Sequence, residues 1–304
     1  VFPEKLSMGE FMKERVGPFF CTLAALAAVG ALQSVCSAEG AVSSSTSLTG
    51  DGPSENLALS PEARIKKILA TPFRGGPDEH AVLFLDEHEE AIRQIGNAAV
   101  PALVRALQDE SADARLKAVL CLVALGPDAA PAVENLRPLL RSRADRQAYW
   151  TIICLGEIGK ESVKAVPDLL SLLKHPQGCP FYEQIGESIG RIAKESGKLP
   201  DGLAELLNDK RAGARQGALF ALGECGQLAE PLVPKIIAML RDDHVLVRIH
   251  AARAVGRIKP RPHIAIPALV KALDDPKPSV RIAAASAIGD FGKDASTAVP
   301  RLIE

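Results

Sequence analysis

The chain has 304 residues, and its 36 lysines and arginines against 37 acids leave a formal net charge of −1. That balance excludes the basic excess that binds nucleic acid through its phosphates. Its six cysteines include no C-x-x-C pair, so neither a zinc knuckle nor a dense disulfide framework is indicated.

Lys13 and Arg15 precede an alanine-rich apolar run from Pro18 to Val35, which ends in Cys36-Ser37-Ala38. Small residues at that point suit a signal peptidase, so residues 1–38 read as a secretory signal cleaved after Ala38, with Met8 or Met12 as the start. Gly30 and Gln33 interrupt the run, which favours cleavage over a permanent membrane anchor, and Gln33-Ser34-Val35 departs from a lipobox. The chain is therefore expected to be exported, periplasmic or extracellular, with no stable membrane insertion afterwards. Residues 39–58 are rich in serine, threonine and glycine and read as a flexible linker.

Residues 59–96 read as a degenerate first repeat, with helices over Pro61 to Ala70 and Ala81 to Ile95. His80 and His88 flank the acidic run there, which reads as an exposed helix face. From residue 97 the chain becomes periodic. Proline recurs at Pro101, Pro167, Pro200, Pro234, Pro267 and Pro300, with Glu134 in the missing slot, at spacings of 33 or 34 residues. An apolar residue precedes every slot, a leucine usually follows it by six, and Gly156, Gly190, Gly223, Gly256 and Gly289 fall about 22 residues after it. Between these marks the apolar residues keep a 3.6-residue spacing, so each unit reads as two amphipathic helices. Proline suits the first turn of the first helix, where its missing N–H has no intrahelical partner. One such hairpin cannot bury its apolar faces alone; stacked neighbours can.

This pattern resembles the short bacterial form of the HEAT repeat. The likeness is carried by "AAVPALVRALQDESADARLKAVLCLVALG" and "IAIPALVKALDDPKPSVRIAAASAIGDFG" and extends over roughly residues 97–304. The resemblance implies an all-α fold: a right-handed superhelical solenoid of about six to seven stacked hairpins over residues 59–304, whose second helices line a concave surface. It also implies a protein whose usual work is to hold other macromolecules. Residues 296–304 begin a further first helix without a second, which suggests a longer reading frame.

Four acid–arginine pairs share a six-residue separation: Asp109 and Arg115, Asp209 and Arg215, Asp242 and Arg248, Asp275 and Arg281. The arginine fork is expected to bridge a turn carboxylate and backbone carbonyls, fixing the angle of the hairpin. Counting the Pro101 unit as the first full one, the second and third units lack the pair and should be irregular. After each repeat glycine the charge alternates, Glu157, Arg191, Glu224, Arg257, Asp290, which reads as pairing between stacked helices. Cys121 and Cys154 hold equivalent positions in apolar surroundings and read as small buried thiols.

No histidine pair lies three or four residues apart, so no helical zinc site is expected, and no cofactor or catalytic residue is assigned. Asp290-Phe291-Gly292 spells a kinase magnesium motif but lacks every accompanying signature. The tyrosines and the tryptophan all fall in the two irregular units, as Tyr149, Trp150 and Tyr182 beside Arg146. Such residues are enriched at binding hot spots, so these four form the candidate partner site, with space-filling in a distorted turn as the alternative. The reading is a non-enzymatic scaffold for a protein partner. A HEAT-like lyase, or a module of a larger exported enzyme, is the alternative.

Overall fold

The computed structural model describes residues 59–76, 79–142, 145–175 and 180–303; the signal and linker readings lie outside them, as does Cys179. The described residues form helices and turns only. Helices α1 (Pro61–Ala70) and α2 (His80–Ile95) make the opening hairpin, within one residue of expectation. Then come α3 (Val100–Ala106) with α4 (Ala112–Leu125), α5 (Val133–Leu136) with α6 (Arg146–Ile158), and α7 (Val166–Leu173) with α8 (Tyr182–Ser196). Helices α9 (Leu203–Leu206) with α10 (Ala212–Cys225), α11 (Val233–Ala238) with α12 (Val245–Ile258), and α13 (Pro262–Ala272) with α14 (Pro278–Asp290) follow, and α15 (Val299–Ile303) opens the next unit.

The recurring sequence marks each have a physical role. Pro101, Pro167 and Pro234 sit in the first turn of their helices, just after a 3-10 stretch, whereas Pro267 lies inside α13, which already begins at Pro262; Leu107, Leu140, Leu173, Leu206 and Leu240 are buried. The second helices form one continuous stack, α2 on α4 on α6 and so on to α14. Burial follows from that stacking: α4 and α10 are covered nearly all round, and Cys121 and Cys154 are wholly buried. Burial pushes the Cys121 thiol up to about 12, so it is an inert packing group near neutral pH. Residues 112–141 are apolar enough to cross a membrane by composition, but the turn at Gly126 breaks them and they are core of the stack.

A second glycine, three residues after the repeat glycine, terminates most second helices. Gly126, Gly159, Gly226 and Gly292 have φ between 54° and 73°, where a side chain would crowd the backbone. In α12 this place is taken by Lys259, at φ 49°. Lys259→Gly is therefore expected to raise the unfolding free energy by about 1 kcal/mol, measured by denaturant unfolding.

The acid–arginine pairs work differently from expectation. Each arginine donates to its own turn's carbonyls, as Arg115 does to Asp109 and Glu110 at 2.8 Å each. For two of them the carboxylate partner, however, lies in the next repeat: Arg215 bonds Asp242 at 2.7 Å, and Arg248 bonds Asp275 at 2.7 and 3.1 Å, while Arg115 meets the Gln147 amide oxygen at 3.4 Å. The acid of the motif instead accepts from a backbone N–H two residues on, at 2.8 to 2.9 Å, and so shapes its turn. The fork thus fixes both the hairpin and the joint to the next hairpin. Burial alone pushes the Asp242 carboxyl up, but the Arg215 and His244 donors outweigh it and hold it below the ordinary value.

The second and third units break this ladder, as expected. Ala148 and Phe181 stand where other units carry arginine. Asp209, with no fork reaching it from unit three, is bonded by Arg211, which also donates back to the Lys174 carbonyl across the joint; that arginine holds the Asp209 carboxyl down to about 2. Helix α8 runs a turn beyond the repeat glycine to Ser196, capped by Gly197, so no 3-10 segment precedes the fourth unit and α9 is one turn long.

Candidate functional site

Adjacent second helices approach closely because small residues face each other along the stack. Ser188 donates to the Ile152 carbonyl at 2.9 Å beside Gly156, and a methyl group at Gly256 would meet Ala287 at 3.1 Å. The approach is closest between α8 and α10. A methyl group at Gly186 would strike the Gly217 carbonyl and Phe220 Cβ, the latter at 2.6 Å, and one at Gly190 would lie 2.8 Å from the Ala221 carbonyl.

One consequence identifies the inner side of the stack. Glu183 on α8 and His250 on α12 belong to hairpins two apart, yet their side chains are 4.0 Å from each other across α10. On the opposite side the first helices spread, and a groove of about 800 Å³ opens between α11 and α13, lined by Pro234, Ile237, Ile264, Pro267 and Ala268. The stack therefore curves with its second helices inside.

The inner face is built from three rows of side chains. The row after the repeat glycine pairs as its alternation foretold: Arg191 with Glu157, and Arg257 with Glu224. Arg191 also reaches Glu187, at 3.3 Å. The neighbouring row carries Ile153, Glu187, Phe220 and Arg253, and the third carries Tyr149, Glu183 and Gln216. Burial raises the carboxyls of Glu183 and Glu187; Arg253 opposes this at Glu183, and Arg191 opposes it at Glu187, where Glu224 and Glu157 add to it. His250, 5% exposed and packed on Phe220 with ring centroids 4.5 Å apart, is pushed down to about 3 by burial and by Arg253 and Arg257. It is neutral near pH 7, so Glu183 has a polar neighbour there and no cation from it.

Of the four residues expected to form a partner site, the structure keeps Tyr149 half-buried on this face. Trp150 is 6% exposed and packs edge-on against Tyr149 at 5.5 Å, so it is a core residue. The other ring contact of Tyr149 is Phe181, the neighbour of Tyr182, at 5.2 Å. Phe181 takes the place of the missing fork arginine, which is how the irregular unit makes room for aromatics. Arg146 is exposed in the first turn of α6, and Tyr182 is half-buried at the start of α8, beside Gly213. Sequence reasoning missed Glu183, Glu187 and Phe220. Their signal was present as the columns six to seven and three residues before each repeat glycine, but without the curvature those columns look like ordinary solvated faces.

The acidic face of α2 also departs from expectation at its histidines. His88 lies against Phe84, ring centroids 4.7 Å apart, and His80 stacks on Phe73 while its Nε2 meets the Gly75 carbonyl at 2.8 Å. Lys117 closes this cluster, donating to the Leu69 carbonyl at 3.1 Å with its ammonium 5.0 Å from the centre of the Phe73 ring.

Stacked hairpins, a shared apolar spine and a curved inner face define an α-solenoid. Residues 233–304 match the family of HEAT repeats. Two solved structures agree on the fold. An archaeal HEAT-like repeats protein from Thermococcus onnurineus NA1 is 12% identical, with a TM-score of 0.50 over 78% of this chain and 99% of that one. A chain in a structure of Kap95p with RanGDP is 17% identical, with a TM-score of 0.54 over 73% of this chain and 34% of that one. A chain in the complex of CpcE and CpcF of phycocyanin lyase from Nostoc sp. PCC7120 is 24% identical over 66% of this chain and 79% of that one, at a TM-score of 0.44. No curated protein matches the sequence. Residues 233–304 thus carry HEAT repeats, and the described hairpins together form an α-solenoid.

Proposed function

We propose that this chain is a non-enzymatic scaffold that holds a protein partner on its inner face after export through residues 1–38. The observation that supports this reading most is the inner face of α6 to α12. There, part-exposed Tyr149, Glu183 and Glu187 stand on closely packed helices, and ion pairs of Arg191 and Arg257 with Glu157, Glu187 and Glu224 fix the face before a partner arrives. Shape and a few aromatic or charged anchors would then carry binding. The Kap95p structure, in which a relative of this fold meets a protein, supports the class of partner only.

The test is capture from the exported fraction with three forms of the chain: wild type, Ile153→Arg on the inner face, and Lys235→Glu on the outer face. One stoichiometric protein should be retained by the wild type and by Lys235→Glu but lost with Ile153→Arg, all three having the same helical content. Equal retention by all three, or a co-purifying chromophore in place of a protein, would overturn the reading.

A further inference from the structure

Charge is unevenly spread along this chain. Residues 230–281 hold ten lysines and arginines against five acids, although the whole chain carries a net charge of −1. All five acids are taken by arginines: Asp242 and Asp243 by Arg215, Asp274 by Arg301, Asp275 by Arg248 and, at 3.8 Å, Glu230 by Arg261. Arg253 and Arg257 belong to the inner face, and Lys293 and Asp294, in the 3-10 stretch packed behind α13, cancel. The outer side of the fifth and sixth units therefore stays basic.

An open groove lies within this basic region. Unlike α3, α5, α7, α11 and α15, helix α13 has no 3-10 lead. Lys259-Pro260-Arg261-Pro262 stands in its place, and the 11-residue helix runs about 16 Å from Pro262. It packs on the 3-10 turn Met239–Arg241 of the preceding unit, and a valley of about 800 Å³ is left open along α11. The floor is apolar, formed by Pro234, Ile237, Ala238, Ile264, Pro267 and Ala268, and Ile264 is 43% exposed. Of the charged lining, Asp242, Asp274, Asp275 and Arg248 are already in ion pairs. Arg241 and Lys271, one from each wall, are exposed, and neither side chain has an ion pair or hydrogen bond with the described residues.

We propose that this groove is the docking site for an acidic amphipathic helix of a protein partner. It goes beyond the scaffold reading, because it places an interaction surface on the outer side and does not depend on the inner face. An apolar stripe at i, i+3 and i+4 suits a valley between two helices, where its side chains cover Ile237 and Ile264. Carboxylates on either flank of that stripe then meet Arg241 on one wall and Lys271 on the other. Nucleic acid fits less well, since two free cations beside an apolar floor do not make the row of them that a phosphate backbone engages.

The test is fluorescence anisotropy of a labelled, helix-stapled peptide, acetyl-Glu-Leu-Ala-Glu-Leu-Leu-Glu-amide, with the full chain. Saturable binding is expected. It should weaken about tenfold when glutamines replace the peptide's glutamates, and at least as much in the double variant Arg241→Glu with Lys271→Glu. Ala238→Trp fills the valley from an exposed position and should abolish binding with helical content unchanged. Ile153→Arg, on the inner face, should leave it intact. Equal affinity for the glutamine peptide, an undiminished response in either groove variant, or no saturable binding would overturn the groove. So would loss of binding in Ile153→Arg, or tighter binding of an oligothymidylate or of phosphatidylglycerol vesicles than of the peptide. The scaffold reading fails separately, because partner capture responds to Ile153→Arg and peptide binding in the groove does not.

Discussion

Arg215→Ala is expected to lower the unfolding free energy by about 3–5 kcal/mol, because it removes one partner of a buried ion pair and leaves the other behind. The Arg215 side chain is 11% exposed and that of Asp242 is 7% exposed, so neither is rescued by water. The same guanidinium also holds the Asp209 carbonyl at 2.8 Å and the exposed Asp243 at 2.8 Å, so a single substitution loosens a hairpin and the joint beyond it. Acid should act similarly on the wild type. The folded Asp242 and Asp275 carboxyls lie below their ordinary values, so their stabilisation is full above the unfolded value near 4 and is lost as pH falls through the folded one. Urea unfolding of the wild type at pH 7, 4 and 3 should show that loss, and Arg215→Ala should show less of it. A variant as stable as the wild type at pH 7 would mean that the ladder contributes no more than an exposed pair.

Gly186→Ala is expected to cost about 3 kcal/mol, by forcing α8 away from α10. The obstacles are the Gly217 carbonyl and Phe220 Cβ, backbone and a short branch of a buried ring, neither of which can swing aside like the end of a long side chain. The effect should reach the inner face as well, because the 4.0 Å approach of Glu183 to His250 depends on how thin the stack is at α10. Thermal unfolding reads the first effect. Exposure of the His250 ring reads the second, as an imidazole that titrates closer to its ordinary range than the wild-type value of about 3. By contrast, Gly289→Ala should be near neutral, since nothing among the described residues lies within 4 Å of a methyl group there.

These two expectations mark where the sequence was readable. Hairpins, boundaries and buried positions follow from local rules: proline in a first turn, leucine between helices, a 3.6-residue apolar spacing. The first and second helices of the opening unit could be placed within a residue even though its repeat pattern is degenerate. Alternating charge also carried over, because neighbouring repeats repeat one register. What escaped was whatever depends on the neighbour's identity. The six-residue spacing of Asp209 and Arg215 drew attention to one turn, while the carboxylate that the arginine actually bonds lies 27 residues on. Gly186 and Gly217 fall outside the repeat glycine's column, so nothing in the periodicity advertised the close approach they permit. Lys259 hid a capping position because most other units fill it with glycine. At the candidate site Tyr149 was visible by type alone, but Trp150 shares that type and is core, so residue chemistry without burial could not divide them.

The account rests on a stack that bends with its second helices inside, so that Tyr149, Glu187 and Phe220 converge on one face. Its most direct measurement is a pair of spin-label distances taken with bio-orthogonal labels at equivalent positions of the third and fifth units: Glu187 with Arg253 on the second helices, and Asp168 with Lys235 on the first. The second-helix distance should be the shorter of the two. Equal distances, or a shorter one between the first helices, would contradict the curvature and with it the inner face.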